Sequence, residues 1–203
     1  LDLAVDACVD FSRATGMPFI SGKDSLSSTY RGRDGKVIRI PPVLCISVFG
    51  RMPDVSRSVS ADFKESNSQI VLVGHRNTDE MAGSVYYDLL GAVGNNLPKI
   101  DPGALMEVFK AVYRAIHGGK LLACHDLSEG GLAAALAEMC FGGGLGASIR
   151  ITGEQKAEYF LFNETAGCFL AEIPHGANPE TIFGDIPWAV IGRTVPEPLI
   201  TAE

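Results

Sequence analysis

The alternation of helical and strand-type apolar patterns in the second half of the chain constrains its fold more than any other feature. Short apolar runs typical of buried strands alternate there with segments whose apolar residues recur at helical spacing. Short connections rich in glycine and proline join these segments. The arrangement predicts an α/β or α+β domain in which helices cover a sheet.

Local signals locate the individual elements of this half. Strands are predicted over residues 69–74, 120–124, 147–151, 168–173 and 188–191. Asp101 and Pro102 predict a helix start, because aspartate is a favoured N-cap and proline is favoured at the first helical position. Residues 77–80 predict another helix start, of the capping-box type. The residues expected to face the core in the two longest helices are Leu105, Val108, Phe109, Val112, Ile116, Leu132, Leu136 and Met139.

The first half of the chain is predicted to be a strand-rich fragment. A helix is expected over residues 1–15, a long loop over 21–35, and strands over 17–20, 36–40 and 43–49. Pro41 and Pro42 predict a bend or a sheet edge between the last two strands. The helical pattern begins at Leu1 without a capping residue, so we expect a piece of a longer protein.

The turn at residues 94–98 is the predicted domain boundary, because glycine, asparagine and proline cluster there. It divides the chain into a domain of residues 1–97 and a domain of residues 98–203.

Composition excludes several classes of partner. The formal net charge is −7, so the chain has no broad electrostatic attraction to nucleic acid or to an anionic membrane surface. No apolar run approaches the roughly 20 residues of a membrane span. Five cysteines without metal-binding spacing predict reduced thiols in a cytoplasmic protein, most of them in apolar surroundings.

Residues 21–29 form the first candidate site. They contain one glycine, one lysine and five hydroxyl residues directly after a predicted strand. Gly22 allows backbone N–H groups to approach an anion, Lys23 supplies a positive charge, and Ser25 can donate to phosphate oxygens. These three residues are therefore predicted to bind phosphate. The alternative is a solvated turn rich in serine and threonine.

Residues 125–132 form the second candidate site, at the junction of a predicted buried strand and a helix. One interpretation assigns Asp126 to Mg²⁺ and Ser128 to a nucleotide phosphate at the helix N-terminus. The other makes Asp126 and Glu129 a capping box. Gly130 and Gly131 each cost about 1 kcal/mol relative to alanine in a helix, which indicates that a ligand or a packed strand approaches the backbone. Both are included in the predicted phosphate site.

Three other residues have both a chemical and a structural interpretation. His125 could act as an acid or base, but a single histidine at a strand end is more often packed and hydrogen-bonded. Cys124 follows an apolar run, which argues against an exposed thiolate nucleophile. Glu164 could be a site carboxylate, and the interpretation favoured by the sequence is an exposed loop acid.

Three segments of the chain resemble the C-terminal half of the phosphoribosylformylglycinamidine synthases. They are SGKDSLS at residues 21–27, HDLSEGGLAAALAEM at 125–139 and LFNETAG at 161–167. The resemblance covers nearly the whole chain, and HDLSEGGLA is its most specific element. It implies that residues 1–97 are the later part of a barrel-forming N-terminal-type domain. Residues 98–203 would be a complete C-terminal-type α/β domain of the aminoimidazole ribonucleotide synthetase superfamily.

The same resemblance implies an activity and its cofactors. The family converts formylglycinamide ribonucleotide to formylglycinamidine ribonucleotide in purine biosynthesis, with ATP and with ammonia from glutamine. By this likeness Asp126 is a Mg²⁺ ligand, and Gly22, Ser25 and Ser128 contact phosphate. Lys23 stands where shorter family members have a metal-binding asparagine, so a phosphate contact is expected of it instead. The site is expected to hold ATP or ADP with Mg²⁺.

The family's catalytic histidine and several metal ligands precede the segment that the chain resembles, so no catalytic residue is assigned here. The isolated chain is expected to be inactive. Its expected partners are the rest of the enzyme, a glutaminase domain or subunit, and a second copy through the barrel strands. Two alternatives are a structural or dimerising module with an auxiliary nucleotide site, and another ATP-dependent relative such as selenophosphate synthetase.

Overall fold

The computed structural model describes residues 1–25, 28–41, 43–153 and 156–203. Within it the chain forms two compact units, Leu1–Pro53 and Asp54–Glu203. Two residues of the first candidate loop, Leu26 and Ser27, lie outside the described residues. So do Pro42 of the predicted bend and residues 154–155.

The unit Leu1–Pro53 contains one helix and one pair of strands among its described residues. They are α1 (Asp2–Thr15), β1 (Thr29–Arg31) and β2 (Val37–Arg39). β1 and β2 pair antiparallel, with Tyr30 opposite Ile38. The predicted helix and the strand near residue 38 are confirmed, whereas β1 lies in a segment predicted to be a loop.

The predictions of strands over residues 17–20 and 43–49 are wrong for this structure, since their described residues have no strand assignment. A strand needs a neighbour that satisfies its backbone N–H and C=O groups, and a local pattern does not supply one. None of the described residues of this unit is buried. Apolar side chains such as Ile20, Val48 and Phe49 are exposed.

The unit Asp54–Glu203 is a sheet with helices on both faces. Its described strands are β3 (Gln69–Val73), β4 (Ala123–Asp126), β5 (Gly146–Ile149), β6 (Phe169–Ile173), β7 (Trp188–Val195) and β8 (Ile200–Ala202). Its described α-helices are α2 (Val85–Leu89), α3 (Pro102–His117), α4 (Gly131–Gly143), α5 (Ala157–Phe162) and α6 (Pro179–Phe183). The strand order is β4-β6-β3-β7-β5-β8. Neighbouring strands are antiparallel except β5 and β8. The chain is thus of the predicted mixed α/β class.

Alternate residues of the central strand β3 serve two separate cores, because successive side chains of a strand point to opposite faces. Ile70 belongs to the core under α4 and α5. Val71 and Val73 belong to the core under α3 and α6. The predicted core residues Leu132, Leu136, Met139, Val108 and Val112 are all buried. Phe109, which was also predicted to face the core, is exposed.

The two compact units differ from the domains predicted on either side of residue 97. β3 precedes that residue, yet it lies between β6 and β7 and pairs with both. The turn at residues 94–98 therefore connects α2 to α3 inside one unit.

Two predicted helix starts have opposite outcomes. The carboxylate of Asp101 accepts hydrogen bonds from the N–H groups of Gly103 (2.8 Å) and Ala104 (3.2 Å), which confirms the predicted N-cap of α3. The capping box predicted at residues 77–80 is wrong. The Asn77 side chain instead accepts from the Asp79 N–H (3.2 Å) in a local turn, and α2 begins later, with Ser84 as its N-cap.

A buried carboxylate attaches the segment before β3 to the sheet. Glu172 of β6 is fully buried. Its side chain accepts hydrogen bonds from the N–H groups of Lys64 (2.8 Å) and Glu65 (3.0 Å) and from the Ser68 hydroxyl (2.6 Å). Backbone and hydroxyl donors satisfy a buried carboxylate in place of water.

The five cysteines are free thiols, but only some of them have the buried, apolar surroundings that were predicted for most of them. Cys140 and Cys168 are buried, Cys8 and Cys124 are half-buried, and Cys45 is exposed. Within the described residues, no helix has both the length and the apolarity needed to cross a bilayer.

Candidate functional site

The loop between β4 and α4 carries the second candidate site. Asp126 is the last residue of β4, and α4 begins at Gly131 after its N-cap Gly130. Gly130 (φ 79°) and Gly131 (φ 60°) both have left-handed backbone conformations, which glycine adopts without a steric penalty. Among the described residues, no side chain caps α4. The predicted capping box of Asp126 and Glu129 is therefore wrong, because the helix starts downstream of both residues.

Asp126 and Ser128 lie together in this loop. The Ser128 hydroxyl donates a hydrogen bond to Oδ2 of Asp126. Most of the Asp126 side chain (62%) is exposed. A cavity of about 290 Å³ borders Asp126, and most of its lining is apolar. The carboxylate is thus accessible to a ligand, and a hydroxyl fixes its orientation.

His125 is packed, and both of its ring nitrogens contact other groups. Nδ1 lies 2.7 Å from the carbonyl oxygen of Asp126, and Nε2 lies 2.8 Å from Oε2 of Glu138 on α4. Only 18% of its side chain is exposed. A carbonyl oxygen can only accept, so Nδ1 donates and the ring holds the loop in place. This geometry agrees with the structural interpretation of His125.

Cys124 does not have the properties of a nucleophile. Burial raises the pKa of its thiol to about 12, and the negative charge of Asp126 contributes in the same direction. The reactive form of a cysteine is the thiolate, which is negligible at neutral pH for such a group. The neighbouring His125 directs both ring nitrogens to other partners.

Gly131 of the loop is required by protein packing. A Cβ atom on Gly131 would lie 2.5 Å from the carbonyl oxygen of Asn163 and 2.9 Å from the carbonyl carbon of Phe162. The N–H of Gly130 donates to Oε1 of Glu164 at 2.9 Å. Of the two explanations given for this glycine pair, the close approach of packed backbone accounts for Gly131.

Glu164 has a structural role that the sequence did not predict. Besides the Gly130 N–H, its Oε1 accepts the N–H of Val85 at 2.9 Å. The sequence favoured an exposed loop acid at this position. Both partners are distant in sequence, so no local pattern could have identified them.

The first candidate loop lies in the unit Leu1–Pro53. Gly22, Lys23 and Ser25 are exposed. Nζ of Lys23 donates to the Ser25 hydroxyl (2.6 Å) and to the Asp24 carbonyl oxygen (2.9 Å). A Cβ atom on Gly22 would meet no described atom within 4 Å, so packing against the described residues does not require glycine there.

Asp126 fits a Mg²⁺ ion as a single ligand. The described residues contain no cluster of three or more histidine, cysteine, aspartate or glutamate side chains that could hold a metal ion. Mg²⁺ is commonly bound by one or two carboxylates, with water and substrate phosphate completing its octahedral shell. An exposed carboxylate such as Asp126 is suited to that arrangement, whereas a site made of protein ligands alone is not supported.

A sheet covered by helices on both faces makes this an α/β protein. The accessible carboxylate and hydroxyl ahead of a helix N-terminus give it a candidate anion-binding loop. The particular family follows from comparison with known proteins. The chain belongs to the family of AIR synthase related proteins, whose C-terminal domain model matches residues 65–203.

Several relatives are similar along nearly the whole chain. The PurL subunit of phosphoribosylformylglycinamidine synthase from Deinococcus radiodurans is 31% identical over 99% of this chain and 28% of its own length. The Methanosarcina mazei PurL subunit is 37% identical over 90% of this chain and 25% of its own length. The chain therefore spans about a quarter of the length of these relatives.

Solved structures share the fold. The structure of PurL from Thermotoga maritima complexed with FGAR superposes with a TM-score of 0.68 and 16% sequence identity. The match covers 100% of this chain and 35% of the PurL chain. The structure of HypE from Escherichia coli superposes with a TM-score of 0.53 and 15% sequence identity. The match covers 71% of this chain and 48% of the HypE chain. At these identities, the similarity establishes only the architecture.

Proposed function

We propose that the chain is part of a phosphoribosylformylglycinamidine synthase, which converts formylglycinamide ribonucleotide to formylglycinamidine ribonucleotide with ATP and glutamine in purine biosynthesis. Similarity to PurL subunits along nearly the whole chain supports this proposal over another ATP-dependent relative. Because the chain spans only about a quarter of those subunits, the reaction belongs to the whole enzyme. The isolated chain is expected to be inactive.

The observation that carries the proposal is the Asp126–Ser128 pair directly ahead of α4. The first turn of an α-helix leaves N–H groups without backbone partners, and its dipole favours negative charge. The N–H of Gly131 already donates to the Ser128 carbonyl oxygen at 3.0 Å. A nucleotide phosphate at this point would therefore meet the Ser128 hydroxyl and the later N–H groups of the first turn of α4. Asp126 would hold Mg²⁺, which neutralises charge on the phosphates.

The proposal refines the roles of the predicted phosphate-binding residues. The N–H of Gly130 is already engaged by Glu164, so Gly130 and Gly131 would contribute by shaping the loop. Gly22, Lys23 and Ser25 remain proposed phosphate contacts in the other unit, where the Lys23 ammonium and the Ser25 hydroxyl are exposed.

The proposed partners follow from the same assignment. ATP or ADP with Mg²⁺ would occupy the site, and formylglycinamide ribonucleotide would be the substrate of the complete enzyme. The remaining part of the enzyme and a glutaminase would complete the assembly in the cytoplasm. The exposed apolar side chains of the unit Leu1–Pro53 are suited to contact that remainder or a second copy.

Substitution of Asp126 or Ser128 should weaken Mg²⁺-ADP binding by the full chain. We expect Asp126→Asn to weaken binding by about tenfold or more, and Ser128→Ala by a smaller factor, because each removes a charged or polar contact. Isothermal titration with and without Mg²⁺ measures both effects. Glu129→Gln, which changes an exposed loop carboxylate, serves as the control and should bind like the wild type.

Two results would contradict the site assignment. One is an Asp126→Asn variant that keeps wild-type Mg²⁺-ADP affinity. The other is a wild-type chain whose thermal unfolding does not respond to millimolar Mg²⁺-ADP, since a bound ligand must stabilise the folded state. The second result, together with self-association of the chain, would favour the structural or dimerising module, to which the exposed apolar residues of Leu1–Pro53 point.

A further inference from the structure

The carboxylate of Glu164 joins the starts of two helices. Its Oε1 accepts one hydrogen bond from Gly130, the N-cap of α4, and another from Val85, the first residue of α2, each at 2.9 Å. The two donors come from segments on either side of α3 in sequence. One oxygen atom with two backbone donors therefore fixes these segments relative to each other.

The turn that carries Glu164 is itself firmly held. The neighbouring Asn163 is fully buried. Its amide nitrogen donates to the carbonyl oxygens of Asn77 and Glu80, each at 2.9 Å. On the α2 side, the ring of Tyr86 stacks on Phe162 with centroids 5.0 Å apart. The Glu164 carboxylate thus projects from a turn whose own position is determined by buried contacts.

The start of α4 depends on such an external restraint. Gly130 and Gly131 have the largest conformational freedom of any residues, and no side chain in the described part of the chain caps the helix. A charge-assisted hydrogen bond from a backbone N–H to a carboxylate is among the stronger hydrogen bonds in proteins. Glu164 is therefore suited to hold the glycine pair in its observed conformation.

We propose that Glu164 is a positioning residue that sets the start of α4 and couples it to the start of α2. It acts through the Gly130 N–H and does not contact the nucleotide. The inference rests on the proposed function, since the loop that it fixes carries Asp126 and Ser128. Its consequence is that changes at α2 alter nucleotide affinity at the start of α4.

The test uses the full chain with Glu164→Ala, Glu164→Gln and the neighbouring Glu129→Ala as a control. In the absence of nucleotide, we expect Glu164→Ala to raise amide hydrogen exchange at both Val85 and Gly130 by about tenfold, and to weaken Mg²⁺-ADP binding by about tenfold. Glu164→Gln keeps an acceptor oxygen and should stay within about threefold of wild type in both measurements. Glu129→Ala should change neither.

Three results would overturn the proposed role of Glu164. Tighter Mg²⁺-ADP binding by Glu164→Ala would overturn the proposal, because the carboxylate would then compete with phosphate for the Gly130 N–H. Unchanged exchange at either amide would also overturn it, as would an equal effect of Glu129→Ala. If Glu164→Ala is unfolded by circular dichroism, Glu164→Asp replaces it, since its shorter side chain retracts the carboxylate from both donors.

The proposed function can fail separately from this inference. A wild-type chain that binds no Mg²⁺-ADP would refute the nucleotide site. The exchange rates of Val85 and Gly130 in the Glu164 variants would still decide whether this carboxylate couples the two helix starts.

Discussion

Replacing Glu172 with alanine is expected to lower the free energy of unfolding of the unit Asp54–Glu203 by roughly 3 to 5 kcal/mol. The carboxylate is fully buried and accepts three hydrogen bonds, from the N–H groups of Lys64 and Glu65 and from the Ser68 hydroxyl. Alanine would leave the N–H groups of Lys64 and Glu65 without an acceptor, and each buried unsatisfied donor costs about 1–3 kcal/mol. The Ser68 hydroxyl would keep the Thr194 hydroxyl as a partner at 2.9 Å.

Urea denaturation followed by tryptophan fluorescence measures this effect. Trp188 is the only tryptophan of the chain and lies in β7 of the same sheet, so its signal reports the unfolding of this unit. Glu180→Ala removes an exposed glutamate and should change stability by less than about 1 kcal/mol. A loss below about 1 kcal/mol in Glu172→Ala would show that water replaces the carboxylate and that the network is dispensable.

Glu172 also illustrates what a single sequence cannot reveal about this fold. The strand around it was predicted from its apolar residues, and β6 confirms that prediction. Its partners Lys64 and Ser68 are more than a hundred residues away. A local pattern identifies the strand, but only the tertiary structure shows that a charged residue inside it is satisfied.

Elements with strong local signals were predicted well. The N-cap Asp101 and the core face of α4 follow from side-chain chemistry and helical spacing, which act within a few residues. The strands expected at residues 17–20 and 43–49 did not form, because strand pairing depends on partners that propensity does not specify. The start of α2 was misplaced because Asn77 forms a local turn.

In the candidate site, too, local residue types were informative, whereas contacts between distant residues could not be predicted. The segment of residues 125–132 was predicted to be a site from its residue types and its place between strand and helix, and the structure places Asp126 and Ser128 in contact. The capping role of Glu129 was wrong, since the chain uses two left-handed glycines ahead of α4. The partner of Gly130, Glu164, lies on a different turn, and no spacing rule connects the two.

Gly131→Ala is expected to destabilise the unit by about 3 kcal/mol or more. The new Cβ atom would lie 2.5 Å from the Asn163 carbonyl oxygen, and the residue would have to keep a φ of 60°. Asn163 is fully buried and hydrogen-bonded, so it cannot move away. The start of α4 must shift instead, and we expect Mg²⁺-ADP binding at Asp126 and Ser128 to be lost as well.

Gly144→Ala separates the two causes of this effect. Gly144 ends the same helix at a φ of 63°, but a Cβ atom there would have no neighbour within 4 Å among the residues that the structure describes. Its substitution should cost only the left-handed conformation, about 1–2 kcal/mol, and should leave nucleotide binding unchanged. Urea denaturation and titration of both variants give the comparison. Equal losses of stability would show that backbone conformation alone requires glycine at residue 131, and that the approach of Asn163 does not hold the loop in place.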